Sequence, residues 1–475
     1  MTEVLLQMAE AIGYLLIVYF ILLNLSYLIQ GLLSVHLLKR YYQKLTVSDM
    51  ERFKQEQDLP PITLIIPAYN EATTLEDTLK NLAHQDYPDY EILIINDGST
   101  DDMLPLIIDA YALEPAFHIN PNHLKTAPVK EVYRSKTHPH IWVIDKENRG
   151  KADALNVALN YCQTPFFCVM DADTILEPYA LSRMMFTFLT ERDTVAVGGI
   201  LRVLNGCELK DGKIESVNMP KNALAAFQVL EYMRSFLASR MSWNLARGSL
   251  IISGAFGMFS HATVVNAGGY TTETVGEDME LVVRLHRYCR QKKRNYHIRF
   301  VPDPVAWTQC PERLSDLYLQ RERWQRGLVQ SLTKHLSMLL NPRYGSVGLL
   351  GMPFFFFLEM LGPSIEVLGY LALLILVLGG KFSWVYGLIL FAVAFGMGMM
   401  VSMVSIILSE LNTRRFHGTS SIWQLLGWAA LENLGYRQLL SFWRVGGTFT
   451  ALSGKTHWGS VQRQPYEHSE SVQQT

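Results

Sequence analysis

The chain has 475 residues, room for a large catalytic domain together with several membrane spans. A formal net charge of -2 gives no electrostatic reason to expect nucleic acid as a partner. Hydrophobic residues make up 49% of the chain and gather at the N-terminus and beyond Val347, the pattern of a membrane protein carrying a soluble insert.

Ala11 to Leu38 is almost free of charge and exceeds the roughly 20 residues that a spanning helix needs. An acidic start (Glu3, Glu10), a long apolar run and the lack of a small-residue cleavage site argue against a cleaved signal. Lys39, Arg40 and Lys44 follow, so this end is expected in the cytosol and the N-terminus outside. The five cysteines (Cys162, Cys168, Cys207, Cys289 and Cys310) form no close pair. They suggest neither a disulfide framework nor a zinc site, and agree with a reducing compartment for the middle region.

In that middle region Ile62 to Ile66, Glu91 to Ile95, Ile141 to Ile144 and Phe166 to Met170 read as buried parallel strands. Helical patterns alternate with them over Thr74 to His84, Asp101 to Tyr111, Lys151 to Tyr161 and Tyr179 to Leu189. The alternation implies a doubly wound α/β sheet, whose ligands sit at the carboxyl ends of the strands. Further on, Asn222 to Met241 and Asp278 to Cys289 read as helices, and Ser249 to Phe259 as a Gly-containing strand and turn.

Five short motifs fall on these elements: Pro67-Ala68-Tyr69-Asn70-Glu71, Asn96-Asp97-Gly98-Ser99, Asp171-Ala172-Asp173, Gly276-Glu277-Asp278 and Gln320-Arg321-Glu322-Arg323-Trp324. Asp97, at a strand end, could accept hydrogen bonds from a uracil or ribose with Tyr69 stacking on the base; otherwise it belongs to a turn. Asp101 and Asp102 read as turn and N-cap residues. Asp171 and Asp173 close a strand-like run, and in extended chain residues two apart point the same way. Two such carboxylates suit a divalent ion that keeps positions for phosphate oxygens; the alternative is a turn and helix cap before Pro178. Lys151 opens a helix whose N-terminus could meet a pyrophosphate, or is a surface lysine. Asp278 is either a helix cap or a general base toward an acceptor hydroxyl. Gln320, Arg323 and Trp324 share one helix face, where Arg323 could neutralise a departing diphosphate and Trp324 stack on a sugar. The other reading is a basic helix on the membrane surface, ringed by Arg321, Arg323 and Arg326.

Leu349 to Leu378 and Trp384 to Leu408 are the second and third candidate spans, joined by Gly379-Gly380-Lys381-Phe382; Arg414, Arg415 and His417 then return the chain to the cytosol. Glu359 and Glu366, on one face of the second span, are either paired with a neighbouring helix or line a polar path. Ser421 to Leu452 fits a fourth span, a re-entrant hairpin or an interfacial helix. The expected domains are therefore an N-terminal span (1–45), a cytosolic catalytic domain (46–312), an amphipathic interface helix (313–346), a transmembrane and interfacial region (347–452) and a cytosolic tail (453–475).

The ordered set Asp97, Asp171-x-Asp173, Gly-Glu-Asp278 and Gln-x-x-Arg323-Trp324 resembles the processive inverting glycosyltransferases of family 2, which include cellulose, hyaluronan, chitin and poly-N-acetylglucosamine synthases. The resemblance runs from about Ile62 to Trp324 and into the flanking spans. It implies an A-type nucleotide-sugar fold, an α/β domain set between transmembrane helices, with Mg2+ or Mn2+ bound through Asp173. It implies uridine contacts from Tyr69 and Asp97, diphosphate contacts from Lys151 and Arg323, acceptor stacking on Trp324, and Asp278 as base. Glu71, Asp171 and Gln320 join the donor-binding set. Ser253-Gly254-Ala255 resembles the poly-N-acetylglucosamine group and is taken as an acceptor-pocket wall.

The third motif has Gly where cellulose synthases have Thr, but its Asp is kept. No cyclic-di-GMP-binding module is expected after Lys455, and Gly454 to Gly459 loosely resembles a cytosolic gating segment. The implied activity is transfer of N-acetylglucosamine or glucose from a UDP-sugar to a growing extracellular or cell-wall polysaccharide at the cell membrane. The partners are a UDP-sugar donor, a glycan acceptor and the lipid bilayer, and the resemblance admits accessory export subunits. A non-processive enzyme making a glycolipid is the alternative, and a non-catalytic binding subunit a third.

Overall fold

The computed structural model describes residues 2–44, 59–413, 419–454 and Tyr466. It divides into a helical unit (Met1–Arg40, Lys221–Gly248, Pro311–Gly459) and an α/β unit (Tyr41–Pro220, Ser249–Cys310, Ser460–Thr475). The catalytic domain expected over 46–312 is thus interrupted: Lys221–Gly248 groups with the helical unit. The gating resemblance at Lys455 to Gly459 and the basic group Arg414, Arg415 and His417 lie outside the described residues.

The α/β unit is built on strands β1 (Ile62–Ala68), β2 (Tyr90–Asn96), β3 (Leu113–Pro115), β4 (Val129–Ser135), β5 (Ile141–Lys146), β6 (Phe166–Met170), β7 (Thr174–Leu176), β8 (Thr194–Val203), β9 (Cys207–Lys210), β10 (Lys213–Val217), β11 (Phe256–Ser260) and β12 (His297–Thr308). Ten of them form one sheet in the order β3-β4-β5-β2-β1-β6-β11-β8-β12-β7, while β9 and β10 pair as a separate hairpin. β5, β2, β1 and β6 run parallel to one another, in keeping with the continuous apolar sequences of strands covered on both faces, while β4 pairs antiparallel with β5. β11 then enters antiparallel between β6 and β8, so the sheet is mixed rather than wholly parallel. Ile65, Leu93, Ile95, Ile144, Phe167 and Val169 pack beneath Leu155, Val157, Ala158 and Leu159 of the Lys151–Tyr161 helix, which fixes where that helix begins. The helices Leu75–Leu82, Met103–Ala110 and Ala180–Thr190 fall within the expected patterns or overrun them by one residue.

In the helical unit, Glu3–Gln43, Val347–Leu378 and Trp384–Asn412 are long and apolar enough to cross a membrane. The helix expected over Asn222 to Met241 is α-helical over Ala223–Tyr232, widens to π geometry over Met233–Arg240, and closes as α-helix over Met241–Ala246. The ambiguous C-terminal stretch is a helix broken at Leu434 and Gly435, between Thr419–Leu431 and Arg437–Leu452. The helix expected over 313–346 ends at Lys334.

Candidate active site

In the α/β unit the loops after β1 and β2 are tied together by one side chain. Asn70 takes a left-handed conformation (φ 58°), which asparagine tolerates better than most residues. Its Oδ1 accepts from the amides of Thr100 (2.8 Å) and Asp101 (3.3 Å), and its own amide donates to Ser99 Oγ (3.0 Å). Tyr69 stays 47% exposed beside this junction. Glu71 is buried and accepts from Thr74 Oγ1 (2.9 Å), so part of its carboxylate serves the loop itself.

Asp97 stands at the end of β2 and is buried. Its carboxylate accepts from Lys146 Nζ and from the amides of Arg149 (3.0 Å) and Gly150 (2.7 Å). Lys146, at the end of the neighbouring β5, is wholly buried and also meets Asp153 Oδ1 at 3.1 Å. A buried ammonium needs such paired carboxylates to remain charged. Gly98 (φ 66°) allows the loops to close, since a Cβ there would stand 2.9 Å from the Asn148 amide. Asp97 therefore shapes the loop that delivers Lys151, a role that its motif did not reveal, and Lys146 was missed altogether. The available signal was a lysine between two acids, Asp145 and Glu147, at the end of an apolar strand.

Lys151 is the first residue of its helix. Its Nζ lies 2.5 Å from Asp171 Oδ1 and 3.7 Å from Glu277 Oε1. Burial, the largest single influence, lowers the Lys151 pKa, but the charges of Asp171, Glu277 and Asp278 outweigh it and hold the ammonium above its ordinary value. Asp278 Oδ2 accepts from the Gly254 amide (3.0 Å) and Oδ1 from the Met279 amide (2.7 Å). A Cβ on Gly254 would stand 3.2 Å from Lys151 Nζ and 3.4 Å from Asp278 Oδ2. Both charged groups thus border the space beside Gly254.

Asp171-Ala172-Asp173 is a turn between β6 and β7, not extended chain, with the Thr174 amide donating to the Asp171 carbonyl (3.1 Å). The expectation that both carboxylates share a side through strand alternation is corrected accordingly. Asp171 is partly exposed toward Lys151, whereas Asp173 is 1% exposed. No group of three or more His, Cys, Asp or Glu side chains that could hold a metal ion occurs among the described residues. Two neighbouring carboxylates nevertheless fit a hard divalent ion that shares its coordination with substrate phosphates. Asp97, Asp171 and Asp278 are brought together through Lys151 and its loop, and Asp173 follows Asp171 in the same turn.

Gln320, Arg323 and Trp324 lie on the Leu314–Lys334 helix of the helical unit. Arg321 and Arg326, expected as surface charges, are buried instead, because acidic partners within the unit neutralise them. Arg321 Nη2 pairs with Glu231 Oε2 at 2.8 Å, and its guanidinium stacks 4.2 Å from the ring centre of Trp324. Trp324 keeps 43% of its surface exposed. Arg326 faces Glu322 at 3.8 Å. Glu359 and Glu366 both have partners on neighbouring helices: Glu359 accepts from Tyr27 and meets Arg444 at 3.6 Å, and Glu366 accepts from Ser441 Oγ (2.5 Å) and Tyr19 Oη (3.4 Å).

The mixed α/β unit with its central sheet has a GT-A-like fold. The model of Glycosyl transferase family 2 matches residues 63–231 and that of Glycosyl transferase family group 2 matches residues 166–399; the chain belongs to the family 2 glycosyltransferases. It is 31% identical over 271 residues to a poly-beta-1,6-N-acetyl-D-glucosamine synthase of Staphylococcus aureus, covering 57% of this chain and 55% of the relative. The corresponding Staphylococcus epidermidis synthase is 28% identical over 273 residues, covering 58% and 56%. The chain thus spans little more than half the length of the curated relatives that it matches. A mannosyltransferase from Pyrobaculum calidifontis, PcManGT, solved in complex with GDP-Man and Mn2+, shares the fold with a TM-score of 0.51 at 20% identity, covering 88% of this chain and 99% of that one.

Proposed function

We propose that this chain is a membrane-embedded inverting glycosyltransferase. It transfers a sugar from a UDP-sugar to a growing polysaccharide, with N-acetylglucosamine the first candidate and glucose the second. The observation that carries the reading is the ammonium of Lys151, set at a helix N-terminus between Asp171 and Glu277 and bordering Asp278 across Gly254. Such a start to a helix favours a diphosphate, because the helix dipole and the lysine both present positive charge there. The likeness to poly-beta-1,6-N-acetyl-D-glucosamine synthases supports the choice of sugar.

Asp278, oriented by two backbone amides, removes the proton from an acceptor hydroxyl as that oxygen attacks the anomeric carbon. The carbon–oxygen bond to the diphosphate breaks on the opposite face and the anomeric centre inverts. Lys151 and the helix N-terminus stabilise the charge left on UDP. A divalent ion (Mg2+ or Mn2+), held by Asp173 with Asp171, would supply further neutralisation of the leaving diphosphate. Tyr69 stacks on the base, and Asp97 keeps the Lys151 loop in shape and faces the nucleotide, with Glu71 in the neighbouring loop. By the resemblance, Gln320 and Arg323 serve the leaving diphosphate and Trp324 the acceptor. Lys39 and Arg40 at the end of the first span support a cytosolic catalytic unit in the cell membrane. Export subunits remain within this reading as partners.

The test uses the full chain, purified and reconstituted in bilayers, against a panel of UDP-sugars. Asp278→Asn is expected to keep UDP binding and to lower sugar-dependent UDP release by roughly 10²–10⁴-fold, the usual contribution of a general base. EDTA is expected to stop release, and Mg2+ or Mn2+ to restore it. Near-normal turnover in Asp278→Asn removes the base assignment, and full activity in EDTA removes the ion. A long product on a sizing gel separates the polymer from a glycolipid.

A further inference from the structure

β7 is the last strand of the sheet, paired on one side only, with β12. An outer strand edge leaves backbone donors and acceptors without a ladder partner, and buried ones must be satisfied by something else. Here the Leu75–Leu82 helix supplies the partner. Asn81 Oδ1 accepts from the Leu176 amide at 2.8 Å, and its Nδ2 donates to the Leu176 carbonyl at 2.9 Å. The side-chain amide thus pairs with one residue as a peptide group of a further strand would. Its second N–H reaches the Gly212 carbonyl at 2.8 Å, in the turn of the β9–β10 hairpin. One helical turn earlier, Thr78 Oγ1 donates to the Ala172 carbonyl at 2.8 Å. Thr78 and Asn81 are both buried, 0% and 3% exposed. The phenol of Tyr466 lies 3.5 Å from Thr78 Oγ1 and is itself buried.

The two side chains grip opposite ends of one five-residue stretch: Ala172 lies between the two aspartates, and Leu176 ends β7. Asp173 is held between the grips. We propose that Thr78 and Asn81 are positioning residues that fix the Asp171-Ala172-Asp173 turn in the geometry that accepts a cation-bound nucleotide diphosphate. The proposal rests on the donor-site reading given above. Neither residue touches the donor. Each acts through the backbone that carries Asp173.

The test measures Mn2+ binding in the presence of UDP, read from the Mn2+ electron paramagnetic resonance signal, without any sugar transfer. It uses the full detergent-solubilised chain and four variants: Thr78→Val, Thr78→Ser, Asn81→Leu and Asn81→Asp. Val keeps the shape of Thr and removes the hydroxyl; Ser keeps the hydroxyl. Thr78→Val is expected to weaken Mn2+ with UDP by about fivefold to tenfold, the scale of one buried hydrogen bond, and Asn81→Leu, which removes three, by at least as much. Thr78→Ser is expected to bind within about twofold of the parent chain. Asn81→Asp loses both N–H donors and is expected to behave like Asn81→Leu. KM for the donor is expected to rise with the Mn2+ constant while kcat at saturating Mn2+ and donor changes less.

If the parent chain itself fails to bind Mn2+ with UDP, the donor-site reading fails and the proposal with it. If the parent chain binds and Thr78→Val binds equally well, the proposal alone is overturned. Equal loss in Thr78→Ser and Thr78→Val also overturns it, since methyl packing would then be responsible rather than the hydroxyl.

Discussion

A carboxylate that is to receive a proton must be held still without being neutralised. In the proposal Asp278 is that carboxylate: neutral backbone amides orient it, while the Lys151 ammonium is drawn toward Asp171. His286 illustrates the opposite design, a titratable group kept neutral by burial. Its Nε2 donates to the Ser249 carbonyl (2.7 Å) and its Nδ1 accepts from Tyr296 Oη (2.8 Å). Burial, with a smaller push from Arg290, lowers its pKa from 6.5 to about 4. Protonation thus favours the unfolded chain. The stabilisation is complete above pH 6.5 and is lost as the pH falls toward 4, a total of about 3 kcal/mol. The melting temperature is expected to drop across that interval, and His286→Gln to flatten this part of the profile. An unchanged pH profile in the variant would place the acid sensitivity elsewhere. The residue scale is also where sequence reading was least sufficient. The helix starts that carry Lys151 and Asp278 were legible in the sequence, but the turn at Asp171 and the grip on Asp97 depend on neighbours brought in by other strands.

Elements were legible in proportion to how locally they are determined. β1, β2, β5 and β6 are continuous apolar runs bounded by turn formers, and their parallel pairing follows from that composition. β12 was not foreseen, because Pro302 and Pro304 interrupt it and its register slips between Phe300 and Val305. β8 was not foreseen either; it carries Gly198-Gly199, glycines that weaken a strand's own signal, and is held between β11 and β12. Arg321 read as a surface charge because Glu231, its partner, lies 90 residues away. The same distance effect hides the cluster at the broken helix. Glu432 is fully buried and accepts from Arg234 (2.8 Å), Arg437 (2.7 Å) and Ser402 Oγ (3.0 Å), beside the kink at Leu434 and Gly435. Glu432 is the fully buried acid that two half-buried guanidinium groups share, so removing it takes away their common counter-charge. Glu432→Gln is expected to cost about 3–5 kcal/mol. Ser402→Ala, which removes a neutral hydrogen bond, is expected to cost about 1 kcal/mol. Melting of the detergent-solubilised variants checks the order, and equal losses would mean that the charge pairing carries no special weight.

At the scale of the whole molecule, each unit is assembled from three separate stretches of chain. The sheet therefore cannot be completed by its first stretch alone. β6 and β8 both need β11, and β8 also needs β12, all supplied by Ser249–Cys310. A fragment of residues 59–220 is expected to show no cooperative thermal transition, whereas residues 59–310 are expected to melt as a unit by near-ultraviolet circular dichroism. A cooperative transition in the shorter fragment would show that β11 and β12 are dispensable to the core.

This interleaving also sets a timetable at the ribosome. Once β6 has emerged and joined β1, its other edge, Phe166–Met170, waits for β11, which is translated only after a further stretch that includes Lys221–Gly248. At ordinary elongation speeds that delay is on the order of 5–20 seconds. Throughout it a bare apolar strand margin is open to pairing with a stranger. A nascent chain of this design calls for a companion that shields the unfinished margin until β11 arrives.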